Sequence, residues 1–287
     1  MLDGRLRSNH KRKRHHRWRG IDGIRHAVVF DDNSPVPPTT HAAMMKARLM
    51  KTDGHIDQAS GYQGPRLSGM RRILRDNGLD FSPAQLTRAY QDSTDFLRRV
   101  WSEQRDVGVG EHVAAILRAL DETLPHRVPV DVVTALVNAY SRPLLLVLPT
   151  VDPGARAALL QLRDAGIALV IVSNIMRTPG TVLRQALTRL RLLDCFHHTF
   201  FSDELGIRKP DPMMFMTALR AVDGEAATSV HVGDDPILDV QGARAAGLKA
   251  IQVVGNESDV APAAERPDRT IARLEELPAA IASLETE

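Results

Sequence analysis

At 287 residues and 43% hydrophobic content, the chain is long enough to bury two cores, one in a larger domain and a smaller one in an insert. Its one cysteine, Cys195, excludes an intramolecular disulfide, has no partner for a Cys/His nucleophile pair and is expected to pack inside the fold of a cytoplasmic protein. No apolar run reaches membrane-spanning length and the N-terminus lacks the apolar segment of a secretory signal, which excludes the membrane as a partner.

The formal charge of +2 is unevenly spread. Residues 1–27 carry nine Lys or Arg against Asp3 and Asp22, a local +7, which leaves −5 on the rest. Residues 1–22 read as a basic, disordered tail, with contact to nucleic acid or another polyanion through residues 5–19 as the alternative and Trp18 available for stacking.

An apolar run then begins, Ala27 to Phe30, and stops at Asp31-Asp32-Asn33. It reads as a buried strand with a polar tip. Ser34 to Thr40 follows, with prolines at 35, 37 and 38 that predict a stiff, extended segment. From 37 to 144 the strand signal gives way to helical periodicity, predicting a separate, all-helical insert. Ser82-Pro83-Ala84-Gln85 is a capping box opening a helix whose stripe of Leu86, Ala89, Tyr90, Phe96, Leu97, Val100 and Trp101 predicts core. Glu111–Leu120 and Asp131–Tyr140 supply two more helices. Arg66, Arg71 and Arg72 read as a solvated face, or as contacts to an anionic substrate.

Two more apolar runs end in polar tips: Ile167 to Val172 at Ser173-Asn174, and Ser229 to Val232 at Gly233-Asp234-Asp235. Helical patterns separate the runs, so residues 23–36 and 145–287 are expected to form an α/β core, a doubly wound, Rossmann-like parallel sheet. Ligands bind beyond the carboxyl ends of such strands, which would bring Asp31, Ser173 and Asp234 to one crevice. Carboxylates in that position suit a hard cation.

The segments SDELGIRKPDPMMF (202–215) and GDDPILDVQGARAAG (233–247), with the VSN of 172–174 and the acidic tip at Asp31, resemble the four motifs of the haloacid dehalogenase superfamily in order. Its members are mostly magnesium-dependent phosphatases, and the similarity spans roughly residues 23–285. The resemblance implies an aspartyl-phosphate on Asp31, phosphate binding by Ser173, Asn174 and Lys209, and Mg2+ held by Asp31, the Asn33 carbonyl, Asp234 and Asp235. Asp239 would orient the lysine or complete the metal's outer shell. The implied substrate is a small phosphorylated metabolite, and the helical insert becomes a cap that selects it. These residue types suit the chemistry, because a carboxylate attacking a phosphate monoester needs cations to offset the repulsion between like charges.

The first motif departs from the family pattern. Asp-x-Asp-Gly-Thr is replaced by Asp31-Asp32-Asn33-Ser34-Pro35, and Asn33 cannot act as the acid/base of the family's second aspartate. Shifting the register to make Asp32 the nucleophile puts Asp31 inside the apolar strand, where an unpaired charge is costly. Besides the phosphatase, the open readings are a non-catalytic phosphate- or partner-binding protein, a dehalogenase, and a hydrolase associated with nucleic acid through its tail.

Overall fold

The computed structural model describes residues 28–30 and 50–51 by their backbone, and 62–254 and 266–284 in full. Asp31, Asn33, the proline segment and the basic tail lie outside these residues.

Six parallel strands form the main sheet: β1 (Val28–Phe30), β4 (Leu169–Ser173), β5 (His198–Phe201), β6 (Val230–Gly233), β7 (Lys249–Val253) and β8 (Arg269–Ile271). A separate antiparallel pair joins β2 (Met50–Lys51) to β3 (Thr150–Val151). The order in the main sheet is β5-β4-β1-β6-β7-β8. The chain winds outward from β1 through β4 to β5, then returns to β6 on the other side. The winding reverses at β1, where Val29 lies opposite both Val170 of β4 and His231 of β6. In an open α/β sheet the crevice at such a reversal is the binding position.

Strand β4 is continuously apolar from Leu169 to Val172 because both faces of the sheet are covered. Leu169 and Ile171 enter one core with Leu159, Leu187, Phe201, Val230 and Val232. Val170 and Val172 enter the other with Met214, Phe215, Leu219 and Ala250. Each such side chain contributes about 1.5–3 kcal/mol on full burial. Strands β5, β7 and β8 were not among the three predicted runs. β8 is a three-residue edge strand, too short for a periodic signal, and β5 carries His198 and Thr199 among its four residues.

Between residue 62 and β3 the chain is largely helical, with α1 (Gln63–Asp76), α2 (Pro83–Ser102), α3 (Val109–Leu120) and α4 (Val130–Ser141) as its longer helices. The capping box forms as read: Gln85 N donates to Ser82 Oγ, and Ser82 N donates to Gln85 Oε1 at 2.9 Å. Met70, Leu74, Leu86, Val113, Ile116 and Leu136 share a core of their own. Beyond β3 come α5 (Ala155–Asp164), α6 (Gly180–Arg189), α7 (Pro212–Arg220) and α8 (Leu277–Ser283), which cover the sheet. Cys195 is buried and free. Among the described residues, no helix is long and apolar enough to cross a membrane.

One buried group makes stability depend on pH. His112 of α3 is fully enclosed, its Nδ1 3.3 Å from the Tyr140 hydroxyl. Burial first, then the charges of Arg177 and Arg66, pushes its pKa down to about 3. The unfolded chain would take up this proton near pH 6.5, whereas the folded protein resists it. Stability is therefore expected to fall as pH drops from about 6.5 towards 3, by on the order of 4–5 kcal/mol across the whole window. Urea unfolding midpoints of His112→Phe should vary less between pH 7 and 5 than those of the parent. An equal slope in both proteins would show that His112 is not the titrating group.

Candidate active site

The carboxyl end of β4 and the segment ahead of α7 meet through a reciprocal amide pair. Asn174 Nδ2 donates to the Lys209 carbonyl at 3.0 Å, and Lys209 N donates to Asn174 Oδ1 at 2.8 Å. A side chain thus imitates one rung of a β-ladder and holds the two loops in register. It places the Lys209 ammonium against the strand end, where Nζ donates to the Val172 carbonyl at 3.0 Å and to Asp239 Oδ1 at 2.8 Å. Ser173 and Asn174 beside it are completely buried.

Asp239 is the anchor of this arrangement. Its Oδ1 also lies 2.8 Å from His231 Nε2, and its Oδ2 accepts from Asp235 N at 2.9 Å. Burial alone would raise its pKa, but the Lys209 ammonium and the His231 contact override it and hold the carboxyl well below the usual range. The backbone is shaped to admit it. Asp239 sits on a π-helical turn, Pro236–Gln241, a rare geometry concentrated at functional sites. Gly233 stands opposite, where a Cβ would come within 2.2 Å of Asp239 Cγ. Glycine at the strand tip is thus a packing requirement.

Asp234 and Asp235 follow on the tip of β6, both half-buried. Gln252 Nε2 of β7 donates to the Asp234 carbonyl at 3.1 Å, fixing the turn. Asp235 caps the next turn, with Oδ1 accepting from Ile237 N and Leu238 N at 2.8 Å each. Hard oxygen donors at the end of a strand suit Mg2+. Asp239 does not compete as a direct ligand, since both of its oxygens already face Lys209, His231 and Asp235 N. The residues present therefore fit the ion, with Asp234 and Asp235 bringing hard oxygen donors to the tip of β6. Among the described residues, no three His, Cys, Asp or Glu side chains gather into a metal cluster, and the remaining implied ligands, Asp31 and Asn33, lie outside them.

A second buried ion pair ties the helical region to this site. After α2, the backbone of Gln104 to Asp106 runs beside Gly206 to Arg208, with Asp106 N donating to Gly206 O and Arg208 N to Gln104 O, each at 3.0 Å. Arg208 Nη1 then donates to Asp106 Oδ2 at 2.5 Å and to the Ile175 carbonyl at 2.8 Å. Ser202 Oγ also donates to Asp106 Oδ2 and accepts from Ile175 N at 2.8 Å. Trp101 Nε1 donates to Asp106 Oδ1 at 3.1 Å, and its ring lies 4.5 Å beneath the Arg208 guanidinium. One carboxylate of the helical region thus braces the residues next to Asn174 and next to Lys209. Spacing alone could not have revealed it, because Asp106 and Arg208 are about a hundred residues apart.

A family model described as "haloacid dehalogenase-like hydrolase" matches residues 27–247. The chain belongs to this family. Relatives of the hydrolase include a glyceraldehyde 3-phosphate phosphatase of Pyrococcus abyssi, 32% identical over 69% of this chain and 76% of its own length. A ribulose-1,5-bisphosphate 5-phosphatase of Halopiger xanaduensis is 31% identical over 84% of this chain and 90% of its own. Among solved structures, a 2-haloacid dehalogenase from Pseudomonas syringae shares the fold with a TM-score of 0.63 at 21% identity, covering 91% of this chain and 99% of that one.

Within this haloacid dehalogenase-like fold, Ser173, Asn174, Lys209, Asp234, Asp235 and Asp239 come together at the ends of β4 and β6. Of the arginines singled out in the sequence, Arg66 is buried, Arg71 bonds the Phe81 carbonyl at 2.7 Å and Arg72 faces solvent. Two participants were missed: His231, read as part of an apolar run, and Asp106, hidden in a polar stretch.

Proposed function

We propose that this hydrolase is a Mg2+-dependent phosphatase of a small phosphorylated metabolite, acting through an aspartyl-phosphate on Asp31. The observation that carries this reading is the buried Lys209 ammonium, anchored by Asp239 beside Ser173 and Asn174 at the strand ends. A cation locked there serves a phosphoryl group better than it serves the fold, since burying an ion pair gives little net stability. Relatives named as phosphatases support the same class.

Asp31 attacks phosphorus while the bond to the ester oxygen breaks. Ser173 donates a hydrogen bond to a phosphoryl oxygen, and Lys209 offsets the charge that builds there. Water then attacks the aspartyl-phosphate and releases inorganic phosphate. Asp31, the Asn33 carbonyl, Asp234 and Asp235 would hold Mg2+, which would supply further neutralisation of the phosphoryl charge. The helical region acts as the cap that selects the substrate. One buried cysteine suits a reducing, cytoplasmic setting.

Asn33 leaves the departing alkoxide to take its proton from water. General acid/base groups contribute about 10²- to 10⁴-fold, so turnover is expected to be slow and Asn33→Asp to raise it by at least about tenfold. A panel of phosphorylated metabolites assayed with and without Mg2+ measures both. Asn33 also favours a second reading, a phosphate-binding protein without turnover. If no member of the panel is hydrolysed by the parent or by Asn33→Asp, while phosphate still binds, that second reading replaces the first.

A further inference from the structure

Two arginines meet where the helical region covers the loop leaving β4. Arg66 of α1 is 4% exposed. It reaches across to the loop, with Nη1 donating to the Arg177 carbonyl at 2.7 Å and Nη2 to Thr178 Oγ1 at 3.1 Å. Arg177, half-buried, reaches back in the opposite direction. Its Nη1 donates to the Tyr140 hydroxyl at 2.6 Å and its Nη2 to Thr94 Oγ1, while its guanidinium lies 4.0 Å from the centre of the Tyr90 ring. Tyr140 lies 5.1 Å from the Arg66 guanidinium and 6.0 Å from that of Arg177.

Every recorded partner of these two cations is neutral. Other arginines here have carboxylates: Arg208 has Asp106, Arg184 has Glu204 and Arg156 has Asp194. Among the described residues, none pairs with Arg66 or Arg177. Both charges also act on the buried His112, where burial is the larger influence on its proton affinity. Magnitudes argue against a purely structural role. A cation–π contact returns about 0.5–2 kcal/mol, whereas withdrawing an ion from water costs several. Two guanidiniums, each with five N–H donors, thus leave unneutralised charge in a partly desolvated interface.

The location gives the charge a use. Arg177 is four residues from Ser173, a reach of at most about 14 Å along extended chain. We infer that Arg66 and Arg177 form a second anion-binding position, which takes a carboxylate or second phosphate at the far end of a short substrate whose phosphoester lies at Ser173 and Lys209. This deepens the phosphatase reading and rests on it for the position of the reacting end. Arg177 is the residue that meets the ligand; Arg66, buried behind it, adds charge and holds the loop by its Arg177 carbonyl bond.

The test compares glycerol phosphate with phosphoglycerate, and fructose monophosphate with fructose bisphosphate, so that the pairs separate a carboxylate from a phosphate as the second anion. Calorimetric binding and turnover are both measured. The parent should prefer the member with the second anion in at least one pair. In Arg177→Gln that member should lose about 10- to 100-fold in affinity and in kcat/KM through KM, the worth of charged hydrogen bonds, while its partner changes less than about twofold. Arg177→Lys, which keeps the charge and should fold if the glutamine variant does not, should retain part of the preference. Equal affinity within both pairs in the parent, or equal losses for both members in either variant, overturns the inference. Discrimination in binding without turnover would sink the phosphatase reading and leave the anion position standing; turnover without discrimination would do the reverse.

Discussion

Replacing Asp106 with alanine is expected to cost about 3–5 kcal/mol, the penalty for removing one side of a buried ion pair. The other member of the pair is Arg208, 3% exposed and enclosed by Trp101 and the Ile175 carbonyl. Ser202 and Trp101 lose an acceptor at the same moment. The urea midpoint should fall accordingly, and the double variant Asp106→Leu with Arg208→Met should recover much of the loss, because no charge is then left buried alone. Independent losses that simply add would show that the two side chains do not act as a pair. Activity should fall in Asp106→Ala as well, since the residues it braces adjoin Asn174 and Lys209.

Lys209→Met should be the more damaging change for the reaction. It removes the cation from the phosphoryl position, and such charge stabilisation is worth about 10²- to 10³-fold in turnover. It also leaves Asp239 buried with His231 and one backbone amide. In the parent, the depressed pKa of Asp239 contributes stability that is present above the unfolded value near 4 and is lost as pH falls through the lower folded value. In Lys209→Met, burial acts on Asp239 without the opposing ammonium. That acid-range loss should shrink and stability at pH 7 should drop. Unfolding curves at pH 7 and pH 3, beside turnover, test both halves. Unchanged stability at pH 7 would mean that the Lys209–Asp239 pair is not the anchor described.

How much of this was legible in the sequence depended on whether a residue's role was local. The tips of β4 and β6 could be read because a buried strand is apolar and polar residues follow it directly. The same logic brought Ser173, Asn174 and Asp234 forward. Ser82 and Gln85 revealed a helix start because a capping box closes within four residues. Lys209 and Asp239 came from motif context, but the geometry joining them did not: the Asn174 amide pair, the glycine at 233 and the histidine at 231 act across strands. Asp235 was read only as a metal ligand, although Asp before Pro at the start of a turn is also capping chemistry. Tyr90 and Trp101 were taken as core; Tyr90 does pack in the helical core, and each also supports an arginine, because their faces are apolar enough to pack and electron-rich enough to hold a cation. Asp106 with Arg208, and Arg66 with Arg177, are tertiary pairings that no periodicity encodes.

In the proposed reaction the Asp31 carboxylate attacks phosphorus while Lys209 offsets the charge that builds there. The most direct measurement is an acid-quenched reaction with a hydrolysed metabolite and Mg2+, followed by mapping of any phosphate attached to the protein. The account predicts one phosphorylated residue, Asp31, in the parent, and neither attached nor released phosphate in Asp31→Asn. Phosphate release by Asp31→Asn at the parent's rate would contradict it.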